Sequence, residues 1–154
     1  MFQCVYRCKL GNLLLKSNDE ALTEICFDVS IEGKELLNPV LEKTMIQLDE
    51  YFNLQRTIFT IPLATEGTPF QISVWNELQK IPFGKQISYS QLSKQMQQPL
   101  AIRAIASANG KNPIPIIIPC HRVVGKNGEL VGFSGGLWRK KLLLDLEGNT
   151  LFTT

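Results

Sequence analysis

The chain predicts a mixed α/β fold of the α+β kind, a small N-terminal sheet unit followed by a mainly helical C-terminal part. Three observations carry that reading. Short runs rich in β-branched and large apolar residues, separated by turn signals, extend from Phe2 to Ile31. Two capping boxes, Thr68-Pro69-Phe70-Gln71 and Ser88-Tyr89-Ser90-Gln91, announce helices in the second half. Between Asn112 and Val124, three prolines interrupt an apolar run that ends in Cys120-His121. Such a run is neither an interior helix nor a central strand.

In order, Phe2–Cys8, Asn12–Lys16 and Leu22–Ile31 read as a hairpin or meander, punctuated by Gly11-Asn12 and Asn18-Asp19-Glu20. Asn38 then caps a helix with Pro39 in its first position. Leu41, Met45, Leu48 and Phe52 form its apolar stripe. Arg56–Leu63 reads as a returning strand, and Ala64–Gly67 as a linker. We therefore expect a supporting domain at 1–67 and a second domain at 68–154. In the latter, Phe70, Val74, Leu78 and Ile81 give the first helix its buried face. A short helix from Ser88 to Met96, a turn at Gln97-Gln98 and a helix opened by Pro99 make a helix-turn-helix pattern. In the second of these helices Ile102, Ile105 and Ala106 are expected to face inward. Ala101, Ala104, Ser107, Ala108 and Gly110 leave the rest bare except for Arg103. Lys126-Asn127-Gly128 reads as a hairpin turn between Val123-Val124 and Leu130-Val131. Leu137–Leu146 is a last helix ended by Gly148.

Composition narrows the class. A chain of 154 residues with 44% hydrophobic and 19% charged residues is an ordinary globular protein. No apolar run approaches a membrane span and no signal peptide opens the chain, so a cytoplasmic protein without membrane association is expected. Charge is segregated: residues 1–67 hold six Lys/Arg against ten Asp/Glu, and residues 68–154 hold ten against four. A basic half beside an acidic one is the asymmetry of a protein that faces phosphates, although a solvated surface produces it too. Cys4, Cys8, Cys26 and Cys120 are expected to be thiols in a reducing compartment. A bridge from Cys4 or Cys8 to Cys26 is the alternative.

A buried cysteine is ordinarily an inert small hydrophobe. Cys120 differs in its setting, with φ restricted at Pro119, an apolar wall before it and the chain's one histidine after it. Pro-Cys-His-Arg-Val-Val, with Asn112-Pro113 upstream and Phe133-Ser134-Gly135-Gly136 downstream, resembles the active-site signature of the O6-alkylguanine-DNA alkyltransferase family. Gly67-Thr-Pro-Phe-Gln-x-x-Val-Trp and Ile81-Pro-Phe-Gly resemble it further, so the likeness runs from about Gly67 to Glu147.

That resemblance implies a winged helix-turn-helix in the second domain. It also implies irreversible transfer of the alkyl group of O6-alkylguanine, and of O4-alkylthymine, to Cys120, one turnover per molecule. His121 would take the thiol proton through a water, Glu147 would support the imidazolium, and Tyr89 would hydrogen-bond the leaving guanine. Asn112 belongs to the same signature. The Ser134 N–H would contact O6, and the backbone from Cys120 through Arg122 and Val123 would read the guanine edge, with Gly135 in the adjoining loop. Ala101, Arg103 and Ser107 would meet double-stranded DNA in the minor groove, Arg103 filling the gap left by the flipped nucleotide. A monomer without cofactor is implied. Some members carry an N-terminal zinc held by cysteine and histidine; this chain lacks those histidines, so no metal is expected. Two other classes remain open here: an alkyltransferase-like protein that binds the lesion without reacting, and a thiol hydrolase using Cys-His-Glu.

Overall fold

The computed structural model describes residues 1–148. The chain divides into two compact units, one formed by Met1–Thr65 and the other beginning at Glu66.

The first unit is built on a three-stranded antiparallel sheet, β1 (Phe2–Cys8), β2 (Gly11–Ser17) and β3 (Leu22–Phe27), in the order β1-β2-β3. Tyr6 opposes Leu13 across the first pair and Leu15 opposes Ile25 across the second. Helix α1 (Pro39–Phe52) starts as its sequence dictates: Pro39 occupies its first turn, and the Asn38 side chain accepts from the Leu41 N–H. It buries Leu41, Leu48, Tyr51 and Phe52. Strand β3 ends at Phe27, because Asp28 takes a positive φ of 57°.

Arg56–Leu63 is not a strand. Only Leu63 forms an isolated bridge, to Leu22. The reason lies in side chains of α1 that take the backbone groups a ladder would need: Gln47 Oε1 accepts from Thr60 N at 2.9 Å, and Lys43 Nζ donates to Thr60 O at 3.1 Å. Pro62 removes one donor more.

In the second unit both capping boxes form, opening α2 (Pro69–Leu78) and α3 (Tyr89–Gln95). Helix α2 buries Trp75 beside Val74 and Leu78, and Trp75 Nε1 donates to Ala108 O at 2.9 Å. Gly67 makes room for that indole: a Cβ there would lie 2.6 Å from the Trp75 ring.

Helix α4 (Ile102–Gly110) begins later than Pro99, which lies in a turn closed by Ala101 N donating to Gln98 O at 3.0 Å. Its inward stripe is Ile105, Ala108 and Asn109; Ile102 is 39% exposed and Ala106 only half-buried. The stripe is therefore rotated from the one expected, because the helix enters from a turn that leaves its first residues in solvent.

Val123-Val124 (β5) does not pair with Leu130-Val131. It lies parallel to Ile87-Ser88 (β4), Ile87 opposite Val123. The turn between the expected partners exists, with Gly125 N donating to Glu129 O at 2.8 Å, but Glu129 Oε2 then accepts from Asn127 N and the ladder stops. Helix α5 (Leu137–Gly148) closes the described unit.

Candidate active site

The proline-rich connector is almost wholly buried from Asn112 to Val124. Ile116, a β-branched residue with no exposed surface, is held at φ 76°, a conformation that costs about 1–3 kcal/mol. Its neighbours over-determine it. Ile118 N donates to Ile114 O at 2.9 Å, Asn112 Nδ2 to Ile118 O at 2.7 Å, and Ile114 N to Asn112 Oδ1 at 3.0 Å. Pro119, at φ −81° and ψ 63°, makes an inverse γ-turn closed by Cys120 N donating to Ile118 O at 2.8 Å.

Cys120, His121 and Arg122 then form one 3₁₀ turn. An extended backbone would send Cys120 and His121 to opposite faces. A turn of about three residues instead separates successive side chains by about 120°, so thiol and imidazole are not sent to opposite faces.

His121 is fully buried. Its Nε2 lies 2.7 Å from Glu147 Oε2, so Nε2 carries the proton and donates. Its Nδ1 is buried and has no hydrogen-bond partner among the described residues. Burial pushes the imidazole pKa down, against the pull of Glu147. Burial pushes the Glu147 carboxyl up, but hydrogen bonds from His121 and Arg122 and the guanidinium charge outweigh it and hold the group well below the carboxylate range. The pair is thus a neutral imidazole on an ionised carboxylate, with the Nδ1 lone pair available as a base.

Arg122 is turned inward. Its Nε donates to Glu147 Oε1 and its Nη2 to Oε2, both at 2.9 Å, and Nη1 donates to Ile81 O at 2.7 Å. Its guanidinium lies 5.8 Å from the centre of the Phe83 ring. The substrate contact expected of Arg122 is one of its backbone, and its side chain is engaged in this ion pair. A two-pronged ion pair is the stronger use of that fork in a dry interior.

Cys120 is 2% exposed. Burial pushes its thiol up to about 11, while a hydrogen bond from Asn112, the Lys140 charge and local N–H groups pull the other way. Lys140, the middle of the three basic residues opening α5, has no exposed surface and donates to Val123 O at 2.6 Å, Val131 O at 2.8 Å and Gly132 O at 3.3 Å. It ties β5 to the segment leading into Ser134. Gly132 adopts φ 58°, and a Cβ on it would sit 3.8 Å from the Tyr89 hydroxyl.

Tyr89, at the start of α3, accepts from Asn109 Nδ2 at 3.1 Å. The Cys120 carbonyl accepts from Asn109 Nδ2 and from the Val123 N–H, and the Val123 carbonyl accepts from Lys140. Ser134 is exposed and Gly135 buried in the turn before α5, where Arg139 Nη1 donates to Gly135 O at 2.9 Å. Ala101 is half-buried, and Arg103 and Ser107 lie on the exposed side of α4. No group of three or more His, Cys, Asp or Glu side chains that could hold a metal lies among the described residues. All four cysteines are free thiols.

Sequence reasoning missed Lys140 and Asn109. A signal existed in both cases: Lys140, Leu143, Leu144 and Glu147 share one core-facing stripe, as do Ile105, Ala108 and Asn109. A polar residue on such a stripe marks an internal partner.

Comparison with known proteins gives concordant results. The profile of "6-O-methylguanine DNA methyltransferase, DNA binding domain" matches residues 69–149, and that of "6-O-methylguanine DNA methyltransferase, ribonuclease-like domain" matches residues 1–65. The methylated-DNA–protein-cysteine methyltransferase of Methanosarcina acetivorans is 38% identical, across 97% of this chain and 99% of the relative. That of Haemophilus influenzae is 39% identical, across 96% and 86%. The crystal structure of Mycobacterium tuberculosis OGT in complex with DNA superposes with a TM-score of 0.88 at 37% identity, covering 96% of this chain and 93% of that one.

Proposed function

Because the chain belongs to the 6-O-methylguanine DNA methyltransferase family, we propose that it repairs DNA by transferring the alkyl group of O6-alkylguanine, and of O4-alkylthymine, to its own Cys120. The observation that carries this reading is the buried Nδ1 of His121, a base without a partner beside a thiol that burial keeps protonated.

The chemistry follows from those groups. Cys120 cannot supply much thiolate unaided, so its proton passes to His121 Nδ1, through a water in the bend between them. Glu147 stabilises the imidazolium, and Arg122 holds Glu147 in place. Asn112 and Lys140 stabilise the sulfur anion as it forms. The sulfur attacks the alkyl carbon, a C–S bond forms and the C–O6 bond breaks. Tyr89 hydrogen-bonds the ring nitrogen of the departing guanine and its proton neutralises the base. The imidazolium proton restores the phenol. The thioether has no ready reverse path, so each molecule acts once.

The Ser134 N–H, beside Gly135, meets O6, and carbonyl and amide groups of the Cys120 to Val124 stretch read the base edge. A base reaches this buried thiol only when flipped from the duplex. Helix α4 meets the minor groove through Ala101, Arg103 and Ser107, whose small neighbours allow close approach. Arg103 fills the vacated stack. In this division of labour residues 1–67 support and residues 68–154 bind and react, the last six of them outside the described residues. The protein works as a monomer in the cytoplasm. Among the described residues no helix is long and apolar enough to cross a membrane.

The test is an intact mass after incubation with duplex DNA containing O6-methylguanine. A gain of one methyl group per chain, mapped to Cys120, is expected. Binding without gain would overturn transfer and leave a lesion sensor.

A further inference from the structure

Asn109 does not belong to the groups assigned above, yet it touches two of them. It is 3% exposed on the inward stripe of α4. Its Nδ2 donates to the Tyr89 hydroxyl oxygen at 3.1 Å and, at 3.4 Å, to the carbonyl oxygen of Cys120. Its Oδ1 is buried with no partner among the described residues. We propose that Asn109 is the positioning residue for the proton donor: it holds the Tyr89 oxygen beside the nucleophile's backbone and turns the phenolic proton outward, toward the leaving base. This rests on the alkyl-transfer reading and deepens it.

The argument begins with the amide's orientation. An asparagine amide can be turned over, exchanging donor and acceptor. Turned over, Oδ1 could accept from the Tyr89 hydroxyl, but it would face the Cys120 carbonyl, placing two acceptors together. The Cys120 carbonyl can only accept and already takes the Val123 N–H, so it repels an Oδ1 and favours the NH₂ group, whose two hydrogens then serve both neighbours. The orphaned Oδ1 is the cost of that arrangement, a buried acceptor stripped of water without a replacement. A residue kept only to fill space would not carry it.

The consequence concerns a single hydrogen. A phenol has one proton to donate. With an N–H already pointing at its oxygen, it finds no acceptor on the helix side and must donate away from α4. The same bond favours the phenolate and so lowers the barrier to giving up the proton, opposing the burial that raises the phenol's pKa. Helix α4 is fixed for this task by Trp75 donating to Ala108 O, one residue before Asn109.

The experiment is a double-mutant cycle read by single-turnover transfer from free O6-benzylguanine, which removes DNA handling from the measurement. Asn109→Leu keeps the volume and deletes the donor; Tyr89→Phe deletes the proton. Asn109→Leu should slow the wild-type chain about tenfold, the loss of one buried hydrogen bond. In the Tyr89→Phe background the same change should cost nothing further. Asn109→Asp should be slower than Asn109→Leu at neutral pH, since its carboxylate accepts the phenolic proton and draws it inward. That loss too should vanish without the hydroxyl, and the Asp variant carries the cycle if the Leu variant does not fold. An equal loss in both backgrounds, or no loss in either, would overturn the proposal while transfer by the wild-type chain stands. A wild-type chain that takes up neither a benzyl group from the free base nor a methyl group from duplex DNA would overturn the transfer reading first, and this inference with it.

Discussion

Cys4 in the first unit and Cys120 in the second are both buried thiols, and burial pushes each to about 11. Their neighbours differ in kind. Cys4 lies 3.9 Å from the Met45 sulfur, with the Glu35 charge opposing its ionisation. Cys26 donates to Glu24 at 2.7 Å and is pushed up to about 12, first by burial and then by that carboxylate. Around Cys120 stand an amide donor, a buried ammonium and a neutral imidazole instead. Depth inside the protein does not make a cysteine reactive; the sign of what surrounds the nascent anion does.

The largest break in that contrast is Cys120→Ser, which should abolish methyl uptake, measured by intact mass, while leaving lesion binding in place. Replacing Cys4, Cys8 and Cys26 together by alanine should leave the transfer rate unchanged. Residual uptake by the serine variant would move the acceptor elsewhere and end the comparison.

Glu147→Gln should bring Cys120 part of the way toward the condition of Cys4. The imidazolium loses its counter-ion, and transfer should slow by about 10²–10⁴-fold, the usual range for general-base support. The pH profile should also change form. With the relay intact, the neutral His121 takes the proton and the rate is flat down to a pH below 6.5, because burial lowers the imidazole pKa. Without it, the rate should climb with pH toward the thiol's own ionisation near 11. An unchanged profile would take Glu147 out of the mechanism. The Arg122 fork is stranded by the same change, and breaking a buried ion pair costs about 3–5 kcal/mol. Thermal unfolding must therefore be followed alongside.

Much of this was legible in the sequence because it depended on local chemistry. Asn38, Thr68 and Ser88 cap helices through neighbours three residues away, and the proline-rich connector declared its stiffness. The failures were non-local. Whether Val123-Val124 pairs with Leu130 or with Ile87 is decided by packing, not by the turn between them. Arg56–Leu63 lost its strand to side chains of α1. The pairing of the Arg122 side chain with Glu147, twenty-five residues on, has no local signal either. Lys140 and Asn109 went unseen because each lies on an apolar stripe where charge or amide was read as surface.

A smaller effect is expected from Arg103, which touches DNA and not the thiol. Arg103→Ala should slow transfer from duplex DNA by roughly ten- to a hundredfold, since an extruded base leaves stacking worth a few kcal/mol unreplaced. Arg103→Lys should restore only part, having the charge without the plane. Reaction with free O6-benzylguanine should hardly change. Equal slowing on the free base would place Arg103 in the pocket or the fold and remove it from base flipping.

The smallest effect belongs to the buried ammonium that Cys120 has and Cys4 lacks. Burial lowers Lys140 to about 8, and the Cys120 charge pulls it partly back. Below that pH the lysine is cationic and supports the sulfur anion; above it the support fades. The transfer rate should therefore fall gently through pH 8, where a free thiol would grow faster. The fall should reach about tenfold, which is what a charge that moves a thiol's pKa by one contributes. Folding stability should move the other way. A lysine whose folded pKa lies below its unfolded value of about 10.4 holds an uncomfortable charge at neutral pH, and that burden lifts as pH rises from about 8 to about 10.4. A rate that falls while the unfolding temperature holds or rises over the same interval separates loss of charge from loss of structure. Lys140→Met, which fills the site without a charge, should abolish the break and leave the rate at its low, alkaline level across the range. A break that persists in the methionine variant would assign it to another group and reduce Lys140 to a tie between β5 and the Gly132 segment.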